Sequence, residues 1–125
     1  MSDDPEGPTG RASARLAAER ELLLTRITQM DDDMGSLVAA SVDSNADDEH
    51  DPEGQTIAYE RSQLGALTDR AREHLAEVDA ATARVAAGTY GVCAVCGQPI
   101  DPERLDARPT AATCVAHVPG GRRRA

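Results

Sequence analysis

Four side chains near the C-terminus have the types and the spacing of a metal site. Cys93 and Cys96 are separated by two residues, and Cys114 and His117 repeat that gap after a loop of 17 residues. Structural zinc takes four sulfur or imidazole ligands in a tetrahedron, at about 2.0 to 2.3 Å. Two turns that each offer a pair of such ligands meet this requirement. The spacing therefore predicts one structural zinc ion held by these four residues.

Two other interpretations of the same residues remain open at this point. A C-x-x-C pair can be a redox site, and a single His such as His117 can be a buried residue with no metal. The repeated two-residue gap favours the zinc site over both. Four protein ligands would leave no open coordination position, and no suitable base lies nearby in the sequence, so we expect a folding element and not an enzyme.

Composition and charge exclude several classes of protein. The 125 residues contain no Phe or Trp, which argues against a large globular core, and the formal net charge is −9. Such a surface repels phosphates, and the loop between the ligand pairs carries only Arg104 and Arg108 against three acids. We therefore expect no sequence-specific DNA binding.

The cysteine count and the hydropathy pattern indicate a cellular compartment. An odd number of cysteines, two of them in a C-x-x-C pair, argues against a disulfide framework. No apolar run approaches the roughly 18 residues of a membrane span, and the acidic N-terminus is not followed by a signal-peptide stretch. We expect a cytoplasmic protein with no membrane contact.

Two segments with seven-residue repeats precede the ligands and must position them. From about 11 to 42 the repeat is Leu16, Leu23, Met30 and Leu37, with Ile27 and Met34 on the adjacent position. The second repeat is Ile57, Leu64, Ala71, Val78 and Val85, with Leu67 and Ala81 on the companion position. Each pattern predicts an amphipathic helix that packs against a partner helix.

The ends of the second helix and the short connection determine the predicted fold. Asp51-Pro52-Glu53 is typical of a helix start and Gly88 of a helix end, which places this helix at 52 to 87. Because only residues 43 to 51 join the two helices, they must run antiparallel. We predict a mostly α fold in four parts: a disordered segment (1–10), a coiled-coil hairpin with an acidic tip at 43–53 (11–87), a zinc finger (88–118) and a flexible basic tail (119–125).

The region from Gly88 to His117 closely resembles the zinc finger of the DksA/TraR family. The matching residues are Gly-Thr-Tyr-Gly-Val-Cys-Ala-Val-Cys-Gly at 88–97, Ile100, Arg104-Leu105, Ala-Arg-Pro-Thr-Ala at 107–111, and Cys114. The resemblance implies a bacterial transcription regulator that binds RNA polymerase, inserts its hairpin into the secondary channel, and brings acidic tip residues near the active centre. Here the fourth ligand is His117, where the family usually has Cys.

The resemblance also assigns expectations to single residues outside the finger ligands. The family's tip motif is Asp-x-x-Asp-x-Ala, and the nearest match is Asp48-x-x-Asp51 followed by Glu53. We expect Asp47, Asp48, Asp51 and Glu53 to face the polymerase, although such acids can also simply keep a turn solvated. Arg108 matches a basic residue that helps bind guanosine tetraphosphate; with Val118 after the last ligand and no Lys in the chain, we expect a weak or absent response to it.

Two functional hypotheses follow from the sequence. The first is an RNA polymerase-binding transcription regulator with the hairpin as its probe and the zinc finger as a brace. The alternative is a zinc-stabilised protein–protein interaction module unrelated to RNA polymerase, which docks through a helical face. The repeats are compatible with a monomer or a weak homodimer.

Overall fold

A computed structural model describes residues 8–45 and 52–118 of the chain. The elements are α1 (Pro8–Asn45), α2 (Pro52–Ala87), α3 (Pro102–Ala107) and a single 3₁₀ turn at Val115–His117. The β pairing found among the described residues is an isolated antiparallel bridge between Val92 and Pro99. None of the described helices combines the length and the apolar character needed to cross a membrane.

The observed helix bounds agree with the prediction for α2 and extend it for α1. α2 spans Pro52–Ala87, whereas α1 begins three residues before the predicted start at 11 and ends three residues after 42. Residues 8–10 therefore belong to a helix and not to the lead-in segment, because the ring of Pro8 fixes φ near the helical value and needs no N–H at a first position. At the other end, neither Gly nor Pro follows Val42 to stop the helix before Asn45.

Part of the predicted tip lies outside the described residues. The structure does not describe residues 1–7, 46–51 and 119–125. Asp47, Asp48 and Asp51 fall in the second of these ranges. Glu53 is in the first turn of α2.

The chain forms two compact units, and both long helices pass through each of them. One unit comprises Met1–Arg20 and Ala76–Ala125, and the other comprises Glu21–Leu75. In the first unit Arg20 Nε lies 2.7 Å from Asp79 Oδ1, and in the second Arg72 Nη2 lies 3.0 Å from Asp31 Oδ2. From the first ion pair to the second, the residue number rises along α1, from 20 to 31, and falls along α2, from 79 to 72. The helices therefore run antiparallel, which confirms the predicted hairpin. These half-exposed ion pairs contribute at most about 1 kcal/mol each.

The repeat of α1 is buried over its first part, as the spacing predicts, and its later residues Met34 and Leu37 are half-buried. Leu16 has no exposed surface, and Leu23, Ile27 and Met30 are also buried. Leu22, which lies off the repeat, is 72% exposed. The packing of α1 against α2 therefore follows the seven-residue pattern.

The repeat of α2 is buried at Ile57, Ala71 and Val78 and half-buried at Leu64 and Val85, and one of its two companion residues differs from the prediction. Val78 and Ala81 are fully buried, whereas Leu67 is 52% exposed and the neighbouring Thr68 is only 8% exposed. Residues three and four positions after Leu64 flank the repeat on opposite sides, and the helix buries the latter. The Thr68 hydroxyl donates to the Leu64 carbonyl at 2.8 Å, so its burial leaves no unpaired donor.

Candidate metal centre

A glycine-based cap ends α2 and directs the chain into the finger. Gly88 has φ +81°, a conformation that favours glycine, and its N–H donates to the Val85 carbonyl at 3.2 Å. The N–H of Thr89 donates to the Arg84 carbonyl at 2.9 Å. These two bonds form a Schellman motif, which satisfies carbonyls in the last turn of α2 and ends the helix at Ala87, with five residues between it and Cys93.

The first ligand pair sits on a tight turn closed by backbone hydrogen bonds. Gly97 N–H donates to the Cys93 carbonyl at 2.9 Å, and Cys93 N–H donates to the Gln98 carbonyl at 2.8 Å. Gly97 adopts φ +75°, which a side chain at that position would strain. This turn places the Cys93 and Cys96 thiols together on one side of the backbone.

The second ligand pair is attached to the first turn through the backbone. Ala94 N–H donates to the Ala112 carbonyl at 2.9 Å, which joins the two ligand-bearing segments. Cys114 precedes the 3₁₀ turn, and His117 N–H donates to the Cys114 carbonyl at 2.9 Å. The single turn brings Cys114 and His117 to the same side.

The loop between the pairs is organised by α3. Asp101 caps this helix, since its Oδ1 accepts from the Glu103 N–H at 3.0 Å, and Pro102 occupies the first turn. Ile100, just before the cap, is 3% exposed, and Leu105 is half-buried. The loop therefore supplies the apolar side chains of the small finger.

The four predicted ligand atoms converge on one point. The three Sγ atoms and a nitrogen of His117 all lie within 4.8 Å of one another. Cys96 Sγ is 3.9 Å from Cys114 Sγ, and His117 Nδ1 is 3.8 Å from Cys93 Sγ and 3.2 Å from Cys114 Sγ. In a tetrahedral zinc site, metal–ligand bonds of standard length place two sulfurs about 3.8 Å apart and a sulfur and a nitrogen about 3.6 Å apart.

These distances fit zinc and confirm the ligand set predicted from the spacing. All four ligands come from the protein, so the set is closed and offers no position for a reacting water. When bound, the ion supplies cross-linking energy to a segment with few buried residues. Among the described residues of the finger, the buried apolar residues are Cys93, Ile100, Pro109 and Ala111.

The thiols at this centre differ in acidity. Burial raises the pKa of Cys93, but N–H groups from the backbone of Cys96, Cys114 and Val95 lower it more, to about 5. The Gln98 N–H lowers the pKa of Cys96, but partial burial together with the adjacent Cys93 and Cys114 thiols raises it above its ordinary value. At neutral pH in the metal-free protein, Cys93 is therefore a thiolate and Cys96 a thiol.

Zinc binding should weaken as the pH falls, because a proton then competes for each ligand. Cys96 must lose its proton on binding at pH 7, and below about pH 5 Cys93 must do so too. Each displaced proton changes the apparent affinity by about tenfold per pH unit. Competition titrations against a chromophoric chelator from pH 8 to pH 5 measure this slope. An affinity that is independent of pH would contradict thiolate ligation.

Arg108 lies on the finger but outside the metal centre. It follows α3, where its N–H donates to the Arg104 carbonyl at 2.7 Å, and its side chain is exposed. The structure therefore places Arg108 on the surface without bringing it together with the ligand cluster. The tip acids stay a sequence-based prediction, since they fall outside the described residues.

Four contacts that sequence reasoning missed hold the finger in its own unit. Arg104 Nε donates to the Thr113 carbonyl at 2.9 Å, beside Cys114. Arg84 Nη2 donates to the Thr110 carbonyl at 3.1 Å, and the Tyr90 hydroxyl donates to the Pro109 carbonyl at 2.8 Å. Arg15 Nη1 donates to the Asp106 carbonyl. Every acceptor is a backbone oxygen, so no residue type marks it in the sequence. Arg84 and Arg104 could have been noticed, since each is a basic residue in the last turn of a helix.

Comparison with known proteins agrees with this finger. The family model described as "Prokaryotic dksA/traR C4-type zinc finger" matches residues 88–116. An uncharacterized protein of Bacillus subtilis, YteA, is 42% identical over 69 residues, which is 55% of this chain and 29% of YteA. The RNA polymerase-binding transcription factor DksA of Caulobacter vibrioides is 47% identical over 47 residues, 38% of this chain and 33% of the relative.

A solved structure extends the likeness beyond the finger. The transcription factor DksA2 from Pseudomonas aeruginosa superposes with a TM-score of 0.50 at 27% sequence identity, over 82% of this chain and 78% of that one. The matches to the curated relatives span only about a third of their length. Residues 88–116 of the chain are therefore similar to the zinc finger of the DksA/TraR family, here with three cysteines and a histidine as the ligand set, and they follow an antiparallel helix pair that resembles a DksA2 structure.

Proposed function

We propose that this protein is a transcription factor that binds RNA polymerase. The observation that carries the proposal is the joint presence of a DksA-type finger and an antiparallel helix pair, matched over 82% of the chain by a DksA2 structure. A relative that shares the finger is named as an RNA polymerase-binding transcription factor. The closed zinc site supports a regulatory and not a catalytic role for the finger.

The finer form of the proposal concerns where the protein docks. The hairpin enters the secondary channel of the polymerase, and the acids at 43–53 approach its catalytic magnesium. Asp47, Asp48, Asp51 and Glu53 are the residues we assign to this contact. Carboxylates are the ligands that magnesium prefers, so acids brought this close would perturb the metal or the elements around it. We assign Arg108 at most a minor contact to a guanosine nucleotide.

A binding titration tests the polymerase partner directly. The chain contains no Lys, so its α-amino group is its only amine and takes a fluorescent label without touching the cysteines. The labelled, zinc-loaded protein is titrated with core RNA polymerase from its own host, and an unrelated acidic helical hairpin serves as control. We expect saturable binding at about micromolar or tighter, whereas binding no better than the control would remove the proposal.

Localised cleavage tests the docking site separately. When Fe²⁺ replaces the catalytic magnesium of the polymerase, the hydroxyl radicals it produces cut any chain close to it. We expect cuts within 43–53 and none in the finger. Binding without these cuts would leave a polymerase-binding protein that docks elsewhere.

One observation favours the alternative of a different protein partner. A groove of about 490 Å³ in the unit Glu21–Leu75 is lined by Leu37, Leu64 and Leu67, with Asp33 and Glu60 at its edge. The half-exposed Leu67 leaves apolar surface in contact with water, as an interaction face would. Failure of the polymerase titration would make this groove the next surface to investigate.

A further inference from the structure

We propose that a cavity beside α3 binds a small amphiphilic carboxylate, a molecule with a planar apolar body and one acidic group. The cavity has a volume of about 330 Å³ and lies within the unit that contains the finger. The residues that give it its character are Arg11, Arg15, Tyr90, Leu105, Asp106 and Pro109. None of them is a zinc ligand, and Arg108 is not among them. The proposal does not depend on the polymerase partner.

The floor of the cavity is apolar and held in place. Pro109 is buried, and Tyr90 and Leu105 are half-buried. The Tyr90 hydroxyl donates to the Pro109 carbonyl at 2.8 Å, which fixes the ring beside the proline. Burial raises the pKa of Tyr90 above its ordinary value, so the phenol is neutral at physiological pH and adds no negative charge to the cavity. A flat apolar body can therefore lie against this floor.

One wall of the cavity carries the Arg15 guanidinium, whose positive charge is not cancelled by its hydrogen bond to a backbone carbonyl. Arg15 Nη1 donates to the backbone carbonyl of Asp106, which orients the guanidinium without neutralising it. A guanidinium has five N–H donors, and this bond uses one of them. Arg11 lies one helical turn earlier in α1 and also lines the cavity. On a chain with a net charge of −9, the Arg15 guanidinium makes this cavity a local site that favours an anion.

The size of the cavity and the remaining charge narrow the class of ligand. About 330 Å³ is near the lower end of ligand pockets, which suits a molecule of one or two rings. Asp106 also lines the cavity, and its carboxylate would repel a dianionic phosphate more than a single carboxylate. A monoanionic carboxylate on an apolar ring system fits both limits.

Matched probes test the proposal on the full, zinc-loaded chain. The probe is 2-naphthoate, compared with its neutral analogue 2-naphthamide and with acetate, which lacks the apolar body. Binding is followed by amide chemical shifts in two-dimensional NMR. We expect saturable shifts near Ala12, Tyr90 and Leu105 with 2-naphthoate, about fivefold to tenfold weaker binding of 2-naphthamide, and none with acetate.

Three variants complete the test. Arg15→Gln should weaken the binding of 2-naphthoate about fivefold. Arg26→Gln, at an exposed position on the same helix, should leave this binding unchanged. Ala12→Leu fills the cavity from its α1 wall with a residue of good helix propensity, so it should abolish binding while zinc content and helicity stay unchanged. Equal binding of the acid and the amide, unchanged binding to Ala12→Leu, or the absence of saturable shifts would overturn the proposal.

Discussion

Replacing Cys114 with Ser should abolish stoichiometric zinc binding and unfold the finger. Cys114 Sγ is 3.9 Å from Cys96 Sγ and 3.2 Å from His117 Nδ1, so this atom is a corner of the ligand set. A serine hydroxyl is a poor zinc ligand at neutral pH because it does not ionise as a thiol does. Since loss of an outer-shell partner alone costs 10- to 100-fold in affinity, loss of a ligand should cost more than about 100-fold.

The finger has little else to hold it folded. Structural zinc supplies about 10 to 16 kcal/mol in finger peptides, as much as the whole stability of a typical domain. The helices should survive the loss, because they bury apolar residues of their own, Leu16 and Val78 among them. We therefore expect a modest fall in helicity, from α3 and the last turn of α2, alongside complete loss of bound metal.

Matched variants in the same turn make this expectation specific. Ala116→Ser adds the same hydroxyl next to the ligands without removing one, and it should retain one zinc per chain. His117→Cys restores a four-cysteine set and should also retain it. Zinc content by elemental analysis and helicity by circular dichroism measure the outcomes. A Cys114→Ser protein that kept full zinc and full helicity would refute the assigned site.

The sequence was sufficient for the helix pair and the ligand set because both depend on local spacing. A seven-residue repeat decides which side of each helix faces the other, and the residues of the repeats led by Leu16 and Ile57 are buried or half-buried in the structure. The two ligand pairs, each separated by two residues, predict a site with four ligands, and the four ligand atoms lie within 4.8 Å of one another. In both cases the information lies in residues close together in the chain.

What the sequence could not predict depends on the partner surface. Leu67 is more apolar than Thr68, so hydropathy alone places Leu67 in the interface, yet the structure buries Thr68. The choice between positions three and four after Leu64 is set by the direction in which α1 lies. The Thr68 hydroxyl can be buried because it donates a hydrogen bond to the Leu64 carbonyl. The seven-residue repeat does not indicate this bond.

The contacts between the finger and the long helices could not be predicted from the sequence either. Arg15, Arg84 and Arg104 each reach a backbone carbonyl rather than an acidic side chain. Charge pairing along the chain therefore gives no indication of their partners. They matter because they fix the finger against both α1 and α2 inside one unit, which is also what creates the cavity beside α3.

Neutralising the tip should abolish the effect on transcription while leaving the fold nearly intact. The variant is Asp47→Asn, Asp48→Asn and Asp51→Asn, which removes charge at almost constant size. Asp51 immediately precedes the first residue of α2, Pro52, and Asn is as good an N-cap as Asp, so α2 should start where it does now. If the carboxylates act on the polymerase through their charge, their removal should eliminate any change in transcript yield in vitro.

The control must remove the same charge elsewhere, because three fewer acids alone change a net charge of −9 to −6 and so alter every long-range attraction. Asp32→Asn, Asp69→Asn and Glu77→Gln do this at exposed positions on α1 and α2. The control should keep both polymerase binding and the transcriptional effect. The tip variant should keep binding and lose the effect, since the helices and the finger, to which we assign the binding, are unchanged. An unchanged transcriptional effect in the tip variant would mean that these acids only keep the turn solvated. Equal losses in both variants would mean that the overall charge of the protein, and not its position at 43–53, governs the response.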